Sequence, residues 1–277
     1  MNFCKIITLH PIFNESAIVL SQRLKIEIVK EFEPTKGTLY IVYGAHEKAV
    51  ELLNIQNNHK HSFGYIIMNS EQPSSKQLKI KYYIELMKNN IVFDYHTESS
   101  NYLKETFGII TKSYHWFDFI EYDIESEACI DILFVGSHSK EREEVYLQLQ
   151  FQHPDKKIEF VFDNSLIQPL ELTKKLKKAK VLLNIPYHHD KILESHRINK
   201  GLSCGCKVVS MKSGDAITDA LYDDYIYFVD DICDIDFAIL DKPKKKYIDL
   251  QKKLTNTLTA HNKWYIEQLL KKSSNIS

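Results

Sequence analysis

The sequence predicts an α/β protein with two domains that face a cleft, each a parallel sheet flanked by helices. Three observations predict this class. Short apolar runs of strand length recur along the chain, stretches with helical periodicity separate them, and the pattern restarts near residue 130. Parallel strands need long crossover connections, which such helical stretches provide. We therefore expect parallel sheets built from strand–helix–strand units.

In the first half of the chain, four strands alternate with four helices. The predicted strands cover residues 4–9, 38–43, 63–68 and 91–95, and the predicted helices lie near residues 16–29, 45–53, 75–87 and 100–106. Residues 114–129 are aromatic and acidic, which favours a linker or an edge strand. This stretch is the candidate domain boundary.

The second half repeats the pattern. Predicted strands cover residues 132–135, 158–162, 181–185, 207–210 and 225–229, predicted helices cover 140–150, 169–178 and 193–203, and a long helix with Trp264 covers 249–271. We expect domains at residues 1–125 and 126–250. Residues 251–277 form a separate terminal segment, and one hypothesis is that this segment crosses back to pack on the first domain.

Composition excludes several classes of protein. The net charge of −1 argues against a general nucleic-acid binder, which needs a basic excess. Five scattered cysteines indicate a reduced, cytoplasmic protein with mostly buried thiols. No apolar run reaches membrane-spanning length, so any membrane contact is expected to be peripheral. The basic run at residues 242–246 is better explained as a solvated turn than as a membrane or nuclear signal.

The familiar nucleotide-binding loops are absent from the sequence. The chain has 8 glycines, with no Gly-x-Gly-x-x-Gly after any strand and no phosphate loop ending in Lys-Ser or Lys-Thr. This argues against classical dehydrogenases and nucleoside triphosphatases.

A first candidate site follows the strand at residues 132–135. Gly136 and Ser137 are small residues at the strand end, and Lys140 and Arg142 open the next helix. Backbone N–H groups and the helix dipole favour an anion there, and the two cations could neutralise a diphosphate. The alternative is an ordinary turn with surface charges.

A second candidate site lies on the helix at residues 193–203. Glu194, Arg197 and Lys200 are spaced to share one side of it. A carboxylate can accept two ribose hydroxyls, and Arg and Lys suit phosphate oxygens. The alternative is a surface ion pair worth ~0.3 kcal/mol. The adjacent turn at residues 204–206, Cys-Gly-Cys, favours the functional interpretation.

Histidines follow several predicted strands. His10, His46 and His96 each come at a carboxyl end that faces the expected cleft, where a general base or a sugar-hydroxyl ligand would lie. The loop at residues 188–190, His-His-Asp, lacks the ligand spacing of a zinc site, and structural or substrate contacts are favoured there. We predict no metal site.

The C-terminal half resembles the nucleotide-binding domain of glycosyltransferases with two Rossmann domains (GT-B), in particular a bacterial and viral group similar to the CgeB-like and group 1 families. The resemblance covers residues 131–230. It is carried by four sequence segments, DILFVGS, LLNIPY, LESHRINKGLSCGCKVVS and GD. It implies an N-terminal acceptor domain, a C-terminal donor domain, and a nucleoside-diphosphate sugar as donor with no further cofactor. The implied donor-binding residues are Gly136, Ser137, Lys140, Arg142, Tyr187, Glu194, Arg197 and Lys200.

The sequence departs from that family at two places. The family helix reads close to Leu-Glu-Thr-x-Arg-Ile-x-Glu, and here Lys200 stands at the final glutamate, which typically accepts the ribose hydroxyls. The glycine-rich loop that follows the first strand in many members of that family is also missing, and the sequence at this place is Leu-His-Pro.

These departures leave several hypotheses open. The leading one is a metal-independent glycosyltransferase with an unidentified glycan, protein or lipid acceptor, and with His10 or His96 as the base if the reaction inverts configuration. The alternative is a catalytically degenerate binding or partner protein of the same fold. A weaker third option is a sugar-nucleotide epimerase of this architecture.

Overall fold

The computed structural model describes residues 4–33, 35–59, 63–113, 128–162, 169–187 and 192–241. Contacts divide the chain into two compact units that separate within the predicted boundary stretch. Residues 114–127, most of that stretch, lie outside the described residues. So do the basic run, the predicted terminal helix and the His-His-Asp loop. The predicted domain limits therefore stay a prediction.

The first unit contains a parallel sheet of six strands, flanked by helices. The strands are β1 (Cys4–Thr8), β2 (Glu27–Ile28), β3 (Leu39–Tyr43), β4 (Gly64–Asn69), β5 (Ile91–Asp94) and β6 (Thr111–Ser113), in the order β2-β1-β3-β4-β5-β6. The helices are α1 (Asn14–Leu24), α2 (Ala49–Asn58), α3 (Lys81–Lys88) and α4 (Thr97–Phe107). All five strand pairings are parallel, as the crossover pattern predicts.

The burial of the central strands explains why their sequences are continuous apolar runs. Every residue of β3 is buried, as is all of β4 after Gly64, because helices cover both faces of a parallel sheet. Tyr40 and Tyr65 extend the core between β3, β4 and α2. The four strands predicted in this half are confirmed.

Three predicted helices of the first unit have wrong limits. The helix predicted at residues 45–53 is a 3-10 turn at Ala45–Lys48 followed by α2, which runs on to Asn58. The helix predicted to reach residue 29 ends at Leu24, because Lys25 adopts a left-handed conformation with φ of 55° and its N–H bonds the Ser21 carbonyl. The exposed strand β2 follows. The helix predicted from residue 75 begins at Lys81, because Ile80 before it is extended. Strands β2 and β6 were not predicted.

The second unit contains a parallel sheet of five strands. These are β7 (Ile130–Gly136), β8 (Ile158–Phe162), β9 (Ala179–Asn184), β10 (Lys207–Met211) and β11 (Tyr227–Val229), in the order β11-β10-β9-β7-β8. The helices are α5 (Lys140–Gln152), α6 (Pro169–Lys177), α7 (Ser195–Ser203) and α8 (Ala216–Tyr222). The predicted strands and helices of residues 130–230 are confirmed, and α8 is an addition.

Close packing fixes α7 against the sheet. Gly201 faces β9, and a Cβ atom at this position would lie 2.3 Å from Cδ2 of Leu182, which is fully buried. Gly205, with φ of 81°, makes the turn between α7 and β10. The C-terminal part of α7 therefore packs closely on β9.

The composition predicts mostly buried thiols and no membrane-spanning segment. Four of the five cysteines are buried, all five are free thiols, and Cys129 is exposed. Within the described ranges, no helix has the length and apolar character that a bilayer crossing requires.

Candidate functional site

The candidate site lies at the carboxyl ends of β7 and β9. These neighbouring strands flank the point where the chain, after adding β8 on one side of β7, returns to add β9 on the other. Ligands of open parallel sheets bind at such switch points. Gly136 ends β7 and Asn184 ends β9, so the loops after these two residues form the site.

Arg142 is a buried cation in the first turn of α5. Its side chain is 1% exposed. Nη1 donates to the Ser137 carbonyl at 2.9 Å, and Nη2 donates to the Ile185 carbonyl and to Oε1 of Glu194, the latter at 3.1 Å. One guanidinium thus joins the β7–α5 loop, the loop after β9 and the start of α7.

Arg197, on α7, contacts the same Ile185 carbonyl and the same Glu194 carboxylate as Arg142. Its Nη1 donates to Oδ1 of Asn184 at 3.1 Å and to the Ile185 carbonyl at 3.4 Å. Its Nη2 lies 2.6 Å from Oε2 of Glu194. The two arginines therefore share Glu194, one on each carboxylate oxygen. The predicted ion pair between Glu194 and Arg197 is present, and it is mostly buried rather than a surface pair.

Gly136 leaves the space that the arginines fill. A Cβ atom there would lie 2.7 Å from Cζ of Phe134, 2.9 Å from Nη2 of Arg197 and 3.1 Å from Nη1 of Arg142. The Phe134 ring lies beneath both guanidiniums, with its centroid 4.9 Å from Cζ of Arg142 and 5.1 Å from Cζ of Arg197. Cation–π attraction to a buried ring stabilises both charges.

The cluster of Arg142, Glu194 and Arg197 carries an excess of one positive charge. Burial, and then the nearby Arg197 charge, lower the pKa of Arg142 to about 10, while Glu194 opposes this shift. Arg142 is therefore still protonated at neutral pH. A poorly solvated cationic cluster of this kind can attract an anion.

Of the remaining predicted donor-site residues, some lie beside the two arginines and others lie away from them. Ser137 contributes its carbonyl to Arg142, and the half-exposed Tyr187 ring lies 5.1 Å from Cζ of Arg142. Lys140 is 86% exposed and pairs with Glu144 at 3.4 Å. Lys200 lies in the last turn of α7, about 9 Å along the helix axis from Glu194. The structure thus groups Gly136, Ser137, Arg142, Tyr187, Glu194 and Arg197.

With this geometry, the chain can be compared with known proteins. No protein-family model matches it, and no curated protein matches it in sequence. Solved structures do match. Alr3699/HepE of Anabaena in complex with UDP-glucose has a TM-score of 0.51 at 10% identity, over 92% of this chain and 99% of that chain. Both parallel sheets are included in this likeness. The chain has a GT-B-like fold.

Two further structures agree with this fold. Alr3699/HepE in complex with UDP has a TM-score of 0.50 at 9% identity, over 96% of this chain and 99% of that chain. A structure of accessory secretory proteins 1, 2 and 3 of Streptococcus pneumoniae has a TM-score of 0.50 at 11% identity. It is matched over 95% of this chain but only 58% of the other, so this GT-B-like chain spans little more than half of that neighbour.

The two histidines predicted as bases lie in the first unit of the GT-B-like fold and cap helices. Nδ1 of His10 accepts the Ile12 N–H at 3.2 Å, at the start of a short 3-10 helix. Nδ1 of His96 accepts the Glu98 N–H at 3.2 Å at the start of α4, and His96 is buried. The structure confirms their places after β1 and β5. Their role as bases stays a prediction.

The sequence analysis missed a polar network at the ends of β4 and β5. Asn69 donates to Oδ2 of Asp94 at 2.7 Å, and Tyr83 donates to Oδ1 of Asn69 at 2.9 Å. Oδ1 of Asp94 accepts the His96 N–H at 3.0 Å. Burial raises the pKa of Asp94 to about 7 against these hydrogen bonds. The signal available in the sequence is a polar residue that ends an apolar strand.

The third predicted histidine of the first unit lies beside this network. Nδ1 of His46 lies 3.2 Å from Oε1 of Glu71, and Nε2 lies 3.3 Å from Oε1 of Glu47. In the described part of the chain, no three His, Cys, Asp or Glu residues form a group that could hold a metal ion.

Proposed function

We propose that this protein is a glycosyltransferase that moves a sugar from a nucleoside-diphosphate sugar to an acceptor, with the donor bound by the second unit. One observation carries the proposal: the buried Arg142 and the mostly buried Arg197 converge over Gly136 at the switch point of a parallel sheet. Paired guanidiniums match the oxygens of a diphosphate, and their charge would stabilise the diphosphate as it leaves.

The roles of the residues follow from their exposure. Arg197, with a side chain 14% exposed, and Arg142, 1% exposed and anchored to the carbonyls of Ser137 and Ile185, would both contact the diphosphate. Tyr187 offers an exposed ring beside the arginines. With these cations in place, the reaction would need no metal ion. The UDP complexes of the Anabaena neighbour make uridine nucleotides the first donors to test.

The acceptor side of the proposal concerns a base and an acceptor. A base would be needed only if configuration inverts, and His10 and His96 are the candidates. Because Nδ1 of each ring accepts a backbone N–H, the proton of the neutral ring lies on Nε2, and either histidine would have to release its helix cap before Nδ1 could take a proton. The acceptor would be a glycan, a protein or a lipid, and the protein is proposed to act in the cytoplasm.

A second candidate function is a degenerate member of this fold that binds a partner and does no chemistry. Two observations favour it: Lys200 stands where the similar family has a glutamate, and both oxygens of Glu194 already bind arginines. In this case each oxygen of Glu194 has one lone pair fewer to offer to ribose hydroxyls.

Product analysis tests the proposed reaction. The protein is incubated with labelled nucleoside-diphosphate sugars, with and without an extract that supplies acceptors. A transferase releases the nucleoside diphosphate and moves the label to a larger product, and Arg197→Ala removes this activity. An epimerase would change the sugar while it stays on the nucleotide. Nucleotide binding without any product would support the degenerate protein.

Charge reversal at Lys200 separates the two candidates. We expect Lys200→Glu to lower donor affinity about tenfold or more in an adapted transferase, because a cation near the donor becomes an anion. The matched control is Lys88→Glu, an exposed lysine in the last turn of α3. Affinity is measured by calorimetry with UDP. A gain of binding in Lys200→Glu would instead indicate a degenerate site that the substitution repairs.

A further inference from the structure

Glu194 occupies the position between the two arginines that an anionic ligand would take. Its Oε1 lies 3.1 Å from Nη2 of Arg142, and its Oε2 lies 2.6 Å from Nη2 of Arg197. A single carboxylate thus bridges two guanidiniums through its two oxygens. This is the arrangement in which arginine binds phosphate.

The arginines do not depend on Glu194 for their positions. Arg142 also donates to the carbonyls of Ser137 and Ile185, and Arg197 also donates to Oδ1 of Asn184. If the carboxylate left, each guanidinium would stay anchored and would present its Nη2 to an incoming anion. The two donors would then point at one place from fixed supports, as a binding site requires.

Glu194 itself is less firmly held. It precedes the first residue of α7, and its side chain makes no capping hydrogen bond to that helix. The side chain is 20% exposed, whereas that of Arg142 is 1% exposed. A rotation of this side chain would therefore bring its charge toward solvent without disturbing a helix cap.

We propose that Glu194 is an internal anion that occupies the place of a phosphate and that the diphosphate must displace to reach both arginines. The proposal rests on the proposed donor site and deepens it. A diphosphate brings one negative charge for each arginine, whereas the carboxylate shares a single charge between them. The diphosphate therefore gains more from the two guanidiniums than the carboxylate does, and Glu194 lowers its net affinity by the cost of the exchange.

Binding of two inorganic probes tests the proposal. The dissociation constants of pyrophosphate and orthophosphate are measured by calorimetry for the full-length wild-type protein, Glu194→Gln and Glu51→Gln. Glu51 is a matched control, because it forms an exposed i,i+3 pair with Lys48 at 3.2 Å. We expect Glu194→Gln to bind both probes on the order of tenfold more tightly, by a similar factor because both displace the same carboxylate, and Glu51→Gln to behave as wild type.

The outcomes separate this inference from the proposed function. Unchanged or weaker binding in a folded Glu194→Gln protein overturns the inference, because Glu194 then supports the ligand. Absence of binding of either probe to any variant overturns both proposals. Tighter pyrophosphate binding without sugar transfer supports the inference and overturns the transferase.

A measurement on the unaltered protein removes any dependence on how well the variant folds. In a crystal structure of the wild-type protein with pyrophosphate, we expect the Glu194 carboxylate to have left Nη2 of Arg197 and a phosphate oxygen to replace it. Pyrophosphate bound while the 2.6 Å contact persists would overturn the inference.

Discussion

The role of Gly136 depends on its lack of a side chain rather than on a special backbone conformation. We expect Gly136→Ala to weaken UDP binding at least about tenfold and to destabilise the fold by about 1–3 kcal/mol, because the added methyl group meets Phe134 and both arginine tips. Calorimetry and thermal unfolding measure the two effects. Gly64→Ala is the control, since its Cβ would meet only Cδ1 of Leu39, at 3.3 Å. Equal affinity in Gly136→Ala would mean that the arginines do not bind the ligand.

Arg142 contributes to the stability of the fold as well as to the positive charge of the site. We expect Arg142→Met to lower the free energy of unfolding by about 3 kcal/mol, because the buried Ile185 carbonyl and the Ser137 carbonyl lose their donor and Glu194 loses a partner. Denaturant titration measures the loss. The exposed Lys140, changed to Met, should leave stability unaltered. A loss in Arg142→Met no larger than in that control would show that the cluster is solvated and contributes little.

At the residue scale, the sequence predicts a set of site residues, most of which the structure brings together, and it misses their contacts. The resemblance placed Glu194 and Arg197 in a donor site, and the helix spacing predicted that they could pair. Nothing in the spacing shows that Arg142, 52 positions away from Glu194, binds the other carboxylate oxygen. That contact arises because β7 and β9 are neighbours in the sheet, which is a property of topology.

At the element scale, hydrophobic periodicity predicts the strands well and the helix ends poorly. Each strand of the second unit was located to within about two residues, because parallel strands buried on both faces read as continuous apolar runs. The limit of α1 was missed because a lysine, rather than a glycine, adopts the left-handed conformation that ends it. The caps formed by His10 and His96 were missed because histidine is not among the preferred capping residues.

The network between the ends of β4 and β5 makes stability depend on pH. Burial raises the pKa of Asp94 to about 7, above the value of about 3.9 expected in the unfolded chain. The protonated carboxyl therefore favours the folded state. Its contribution is complete below pH 4 and is lost as pH rises through about 7.

Replacement of Asp94 isolates this contribution. We expect the free energy of unfolding of the wild type, relative to Asp94→Asn, to fall by up to about 1.4 kcal/mol per pH unit between pH 4 and 7. Denaturant titrations across this range measure the difference, which removes the titration of all other groups common to both proteins. A difference that is independent of pH would show that Asp94 keeps an ordinary pKa.

At the scale of the whole molecule, the fold class followed from the alternation of strands and helices, and the GT-B-like neighbours confirm it. The strand order could not be read from the sequence, because equal helical crossovers can add a strand on either side of a sheet. The switch point, and the convergence of the two candidate sites there, follow from the position of β9 beside β7. The organisation of residues 114–127 and 242–277 stays a prediction.

The central claim is that the arginine cluster of the second unit binds a nucleoside-diphosphate sugar. Thermal stabilisation of the full-length protein by a panel of nucleoside diphosphates and their sugars tests it most directly. Saturation at a hundred times the dissociation constant stabilises a fold by about 2.7 kcal/mol, a shift of several degrees. We predict a shift selective for one base, seen with diphosphates and lost in Arg197→Ala. No shift with any nucleotide, or an equal shift in wild type and Arg197→Ala, would contradict the account.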